Sequence, residues 1–186
     1  MKTALTLLLF GSLISCGDLG TGFNDADGCS GYDEPSSSKY ILPYSVGFKY
    51  EVTQGNCGGF SHQGVSKFAY DFSIPFGTSI LASRSGVVSS IENSMGNSSA
   101  DENHVFVTHS DGSEARYVHI KKDSIPFAVG ETVLQGQKIA EASESFFHFD
   151  VRGSGSSIPV TFRNATEGRY GLRGGVSYLA EEYTNE

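Results

Sequence analysis

No basic stripe runs along this chain, which sets 13 lysines and arginines against 21 aspartates and glutamates, for a formal net charge of −8 over 186 residues. Nucleic-acid binders concentrate positive charge on one face, so nucleic acid is excluded as a partner. Helical periodicity is missing after residue 16. Tryptophan is missing altogether, whereas 13 phenylalanines, 9 tyrosines and 23 glycines suit an all-β chain with many turns. The apolar run from Ala4 to Phe10 and on to Ile14 is too short to span a bilayer comfortably as a helix. Once the two ends are set aside, enough chain remains for one domain with its own core.

Residues 1–16, MKTALTLLLFGSLISC, read as an export signal: Lys2, the apolar run, then a small residue before a cysteine. Leu13-Ile14-Ser15-Cys16 resembles the lipobox of bacterial lipoproteins. The resemblance implies cleavage that leaves Cys16 as a lipidated first residue. The protein would then be held to a membrane of the bacterial envelope by acyl chains alone, outside the cytoplasm. Residues 17–39 are rich in Gly, Asp and Ser and read as a flexible tether. Cys29 and Cys57 show no metal-ligand spacing, and in an oxidising compartment such a pair is expected to be bridged.

The folded part is expected over residues 40–155, with 156–186 as a C-terminal extension that has little beyond Val160–Phe162 and Tyr170–Leu172 to pack. Short strand patterns follow one another between turn signals. They cover Ser79–Ala82, Gly86–Ile91, Val105–His109, Glu114–Ile120 and Phe146–Val151, and Ser110-Asp111-Gly112-Ser113 gives a strong hairpin signal. With no helices between them, these strands predict an antiparallel β domain.

Strand parity then sorts the chemistry. Over Lys67–Ile74, Phe68, Tyr70, Phe72 and Ile74 point into a core, while Lys67, Ala69, Asp71 and Ser73 point away. Over Phe146–Val151, Phe147, Phe149 and Val151 are the apolar face, so Phe146, His148 and Asp150 leave the core as Asp71 does. Over Glu114–Ile120, Ala115, Tyr117 and His119 share one face. Asp71 alone reads first as a solvated carboxylate on an open sheet face, and each histidine alone as structural. Two histidines and one carboxylate from separate strands on one groove would make a catalytic zinc set with an open position for water. His104 and His109 read as structural.

The segment S-H-Q-G…Y-D-F-S-I-P-F-G-T-S-I-L-A-S-R-S-G-V-V resembles the His…Asp ligand segment of the lysostaphin/LytM-type zinc metallopeptidases, in the form with eight residues (63–70) between the ligands. H-V-F-V-T-H-S-D-G-S-E-A-R-Y-V-H-I resembles the family's hairpin ending in Tyr-x-His-Leu, and V-G-E-T-V-L-Q-G-Q-K-I-A the barrel-like stretch that follows. F-F-H-F-D-V matches the end of its His-x-His-Phe-Glu-Val strand. The likeness runs from about Tyr40 to Arg152. It implies an antiparallel sheet with a groove plus a small barrel-like half, the duplicated hybrid motif. It also implies zinc on His62, Asp71 and His148, with His119 as the non-ligand histidine that assists catalysis. The implied substrate is the peptide part of peptidoglycan.

One position departs. Where the family places a second non-ligand histidine, thought to be the general base, this chain has Phe146. Losing a positioned base costs about 10² to 10⁴ in rate. Glu144 is a carboxylate near enough in sequence to stand in. The alternative is a degenerate family member that binds peptidoglycan or a partner cell-wall hydrolase. A carrier module, which residues 127–142 also resemble, fails because no lysine sits at the hairpin tip.

Overall fold

A computed structural model describes residues 29–184 except 99, 145, 167 and 169. The export signal, Cys16 and the first part of the tether lie outside the described residues. Within them the chain is almost wholly β: β1 Lys49–Gln54, β2 Tyr70–Ser73, β3 Ser79–Leu81, β4 Gly86–Glu92, β5 His104–Thr108, β6 Glu114–Val118, β7 Thr132–Val133, β8 Lys138–Glu141, β9 Phe147–Gly153, β10 Ser156–Ser157 and β11 Val176–Leu179. Nine of these strands form one sheet in the order β11-β1-β2-β9-β6-β5-β4-β7, with β10 added to β9. The smaller half is the β3–β8 ribbon. Every described pairing is antiparallel. No described helix is long and apolar enough to cross a membrane.

One face of the large sheet is the core. Tyr70 and Phe72 of β2, Tyr117 of β6, and Phe147, Phe149 and Val151 of β9 are all fully buried there. The β3–β8 ribbon closes the cluster with Ile80 and Ile139. Each buried aromatic side chain removed from water is worth about 1.5–3 kcal/mol, which makes the alternation in β2 and β9 costly to shift. The buried tyrosine hydroxyls are satisfied: Tyr117 accepts from the Ser83 N–H at 2.8 Å, and Tyr70 donates to the Val160 carbonyl at 2.9 Å.

Three expectations need adjustment. The strand over Lys67–Ile74 begins only at Tyr70, because Gly64–Ser66 forms a 3-10 turn and the Ala69 N–H closes onto the Ser66 carbonyl. Ala69 is therefore fully buried rather than on an open face. The segment after residue 155 packs more than its composition promises. Strand β11 pairs with β1, and Tyr178 and Ala180 join Val160, Phe162 and Leu172 in the core. Residues 29–39 lie against the domain: Tyr32 packs edge-on to Phe68, and the Ser38 hydroxyl donates to the Thr161 carbonyl. These contacts are long-range, so local composition does not reveal them.

Cys29 and Cys57 are joined, closing a loop of 28 residues in sequence. Removing both cysteines (Cys29→Ser with Cys57→Ser) is expected to lower the unfolding free energy by about 3–4 kcal/mol, read from urea titrations. In the β5–β6 hairpin, Gly112 takes a φ of +82° and Asp111 accepts from the Ser113 backbone and hydroxyl. Asp111 also pairs with Arg84 at 2.7 Å. Partial burial raises its carboxyl pKa, but the hydrogen bonds from Ser113 and Arg84 outweigh that and hold it well below the usual range. Its contribution is therefore complete above the unfolded value of about 4 and is lost as pH falls below it. Asp111→Asn should melt lower than wild type at pH 7 and show a flatter decline between pH 4 and 2.

Candidate metal centre and groove

The centre is built from the sheet register. Strands β2 and β9 are neighbours, and Asp71 stands directly opposite His148. With Phe72, Phe147 and Phe149 committed to the core, the alternating pleat turns Asp71 and His148 to the other face. His148 Nδ1 donates to Asp71 Oδ1 at 2.7 Å. His62 arrives separately, on the loop after β1. A register shift between Val52 and Gln54 places Gln54 beside Asp71. The loop is then held by the Cys57 disulfide and by the Cys57 N–H on the Lys67 carbonyl.

His62 Nδ1 donates to the Gly55 carbonyl at 2.9 Å, which turns Nε2 inward. Nε2 is buried without an aligned hydrogen bond and lies 3.3 Å from Asp71 Oδ2. A ring nitrogen whose partner nitrogen is fixed on a backbone carbonyl is a common arrangement for a metal-ligating histidine. The His62 and His148 rings meet edge-on at 5.5 Å between centroids. One ligand atom from each of His62, Asp71 and His148 falls within 4.8 Å of the others, close enough for a single cation. The donor set, two imidazoles and one carboxylate, suits zinc, and the orphaned His62 Nε2 gives it an aimed lone pair.

Protonation follows the same contacts. Burial disfavours charge on Asp71, yet the hydrogen bond from His148 and the adjacent His62 imidazole outweigh it and hold the carboxyl below its ordinary range. Burial likewise opposes charge on His62, but the Asp71 carboxylate and the Gly55 carbonyl raise its pKa overall.

His119 lies outside this cluster but beside it. Parity groups it with Ala115 and Tyr117, and both of those are buried in the core while His119 is not. Its φ of 58° lies in the left-handed region, so the alternation of β6 ends at Val118. The ring lines the groove with His148 instead. Its Nδ1 donates to the Asp101 carbonyl at 3.1 Å, leaving Nε2 for the groove. The Phe146 ring packs on it at 4.5 Å between centroids. Glu144 is exposed. His104 bonds Ser90 and the Glu102 carbonyl, and His109 bonds the Ser85 carbonyl, so both are tied into the fold. Cys16 lies outside the described residues.

The groove encloses about 470 Å³ and is floored by β5, β6 and β9. Parity placed Asp150 beside His148 but did not join it to Phe106 and Arg116, which stand in line with it across the ladder as the groove's second row. Alternation within each strand does contain that row, but the register joining the strands does not appear in the sequence.

An antiparallel β domain that gathers two histidines and an aspartate at the edge of an open groove has the architecture of a metallopeptidase. Residues 62–159, more than half of the chain, match peptidase family M23, and the chain belongs to that family. Among solved structures, the chain is similar to the M23 metalloprotease pseudoalterin from the deep sea, at 17% identity and a TM-score of 0.51, covering 81% of this chain and 99% of that one. It is also similar to the catalytic domain of an A109H mutant of the prophage-encoded M23 protein EnpA from Enterococcus faecalis, at 22% identity and a TM-score of 0.48, with 63% and 94% covered. The catalytic domain of lysostaphin from Staphylococcus simulans gives 20% identity and a TM-score of 0.42, with 60% and 87% covered. The comparison with curated protein sequences gives no match.

If the three side chains bind one cation, adding zinc to metal-stripped protein should raise its melting point. Zinc at 100 times its dissociation constant corresponds to about 2.7 kcal/mol. The rise should disappear in Asp71→Ala, and calorimetric scans check it.

Proposed function

We propose that this protein is a zinc metallo-endopeptidase acting on the cross-link peptides of peptidoglycan, exported and held in the cell envelope by acyl chains on Cys16. The observation that carries the reading is the convergence of His62, Asp71 and His148 beside an open groove. Zinc, when bound, would supply an activated water and polarise the scissile carbonyl. The protein's own groups do the rest. Asp71 would supply the negative charge, and His62 and His148 the two imidazoles, that hold the cation. The Gly55 carbonyl keeps His62 in the ligating tautomer. His119, anchored through Nδ1, directs Nε2 to where negative charge would develop and steadies it with a hydrogen bond. The groove aligns an extended peptide along the sheet.

Phe146 favours a second reading. The ring beside His119 is hydrocarbon where a proton acceptor is needed, so the groove could serve to bind a peptidoglycan peptide or a partner cell-wall hydrolase without cutting. Release of soluble fragments from purified peptidoglycan separates the two. On the enzyme reading, the zinc-loaded protein cuts slowly, Phe146→His speeds it by about 10² or more, and His119→Ala slows it by a similar factor. A zinc-loaded wild type that never cuts, rescued by Phe146→His, establishes the binding role instead. Absence of bound zinc at stoichiometric supply ends both the metal and the hydrolase readings.

A further inference from the structure

The second row of the groove contains a cation whose hydrogen-bonding capacity the fold leaves unused. Arg116 stands opposite Phe106 on one side and Asp150 on the other. Its guanidinium stacks on the Phe106 ring at 3.9 Å. Among the described residues its one ion-pair contact is with Glu114, at a loose 3.8 Å, and Glu114 itself accepts from the Ser89 hydroxyl. The guanidinium makes no hydrogen bond to any described residue, and its buried Nε has only the loose Glu114 contact. Arg152 lies diagonally across the ladder from it. Arg152 Nε donates to Asp150 Oδ2 at 2.9 Å, and its other N–H groups have no hydrogen bond among the described residues. Asp150 is 1% exposed and is the buried carboxylate between the two cations, while Glu102 at the groove wall and Glu114 make no hydrogen bond to either. Burial, followed by the nearby Arg152 charge, lowers the Arg116 pKa, against the weaker opposing pull of Asp150, Glu114 and Glu102.

A planar fork set over an aromatic ring, with no hydrogen bond to the protein, is preorganised for a carboxylate. Asp150 and Arg116 lie two residues along the sheet from His148 and Val118, which places them about 7 Å from the metal row. That distance is about two residues of extended peptide. We propose that Arg116, supported by Arg152, is a carboxylate-recognition subsite that selects peptides bearing a carboxylate within about two residues of the scissile bond. The proposal rests on the peptidase reading for what the groove binds, but the subsite itself requires no cutting. The carboxylate is either a free C-terminus or an acidic side chain.

The test compares three synthetic peptides of one sequence, Ala-Glu-Lys-Ala-Ala, with the zinc-loaded full chain: both carboxylates free, the C-terminus amidated, and Glu replaced by Gln. Affinity is measured by calorimetry, and kcat and KM are measured wherever the peptide is cut. A charge-assisted bond of this type is worth about 10- to 100-fold in affinity. The expected result is a loss of that size on neutralising one carboxylate, and which peptide loses affinity identifies the source. Arg116→Gln should bring the ratio close to one, acting through KM, while Arg116→Lys should restore only part of it. Equal binding of all three peptides by wild type, no binding of any, or a ratio that survives in a folded Arg116→Gln overturns the subsite. Retained binding preference without cutting instead defeats the peptidase reading and leaves the subsite standing. Zinc content and melting point of Arg116→Gln are checked alongside, since a disturbed groove floor would change them and a lost recognition contact would not. If Arg116→Gln fails to fold, Arg152→Gln carries the test, and an undiminished ratio there overturns the pairing.

Discussion

Across the β2–β9 ladder the Asp71 carboxylate accepts a hydrogen bond from His148 at 2.7 Å, and the contact exists because those residues are directly opposed in the register. The pleat has a period of two, so a slip of one residue would send both side chains to the opposite face. What prevents the slip is the packing on the other side. Phe72, Phe147 and Phe149 are wholly buried and could exchange faces only at the expense of the core. The apolar face of these two strands thus holds the polar face in place. Core and site are two readings of one alternation.

The third member of the centre depends on different physics. His62 is on no strand, and its position comes from a shifted pairing at the end of β1, a cross-link at Cys57 and one hydrogen bond to the Gly55 carbonyl. A loop braced at several points loses little further entropy when its side chain engages a cation. His119 shows a third device, a left-handed residue that ends the alternation and redirects one ring into the groove. Such a conformation is costly for a non-glycine residue, and the strained position coincides with the site.

The parts legible in the sequence are those with a local period. Alternation in β2 and β9 put Asp71 and His148 on the side away from Phe72, Phe147 and Phe149, and the hairpin around Asp111 and Gly112 was marked by its turn residues. His119 does not follow its strand-mates Ala115 and Tyr117 into the core because a single φ ends the alternation, and nothing in Tyr117-Val118-His119 announces that angle. It also failed for Ala69, where a 3-10 turn interrupts the extended run. Strand β11 was unreadable because its burial comes from β1, more than a hundred residues earlier in the chain.

By itself the amino-acid order determined which residues seek the interior, where the chain turns, and which polar side chains are left facing outward. Those follow from local sterics and from the transfer of apolar surface out of water, properties each segment carries on its own. Tertiary structure alone decided which outward-facing groups meet. It brought His62 to Asp71, turned His119 out of the core, and set Arg116 beside Asp150 on the groove floor. Such meetings depend on register and on one backbone angle, and both are settled by the packing of the whole sheet.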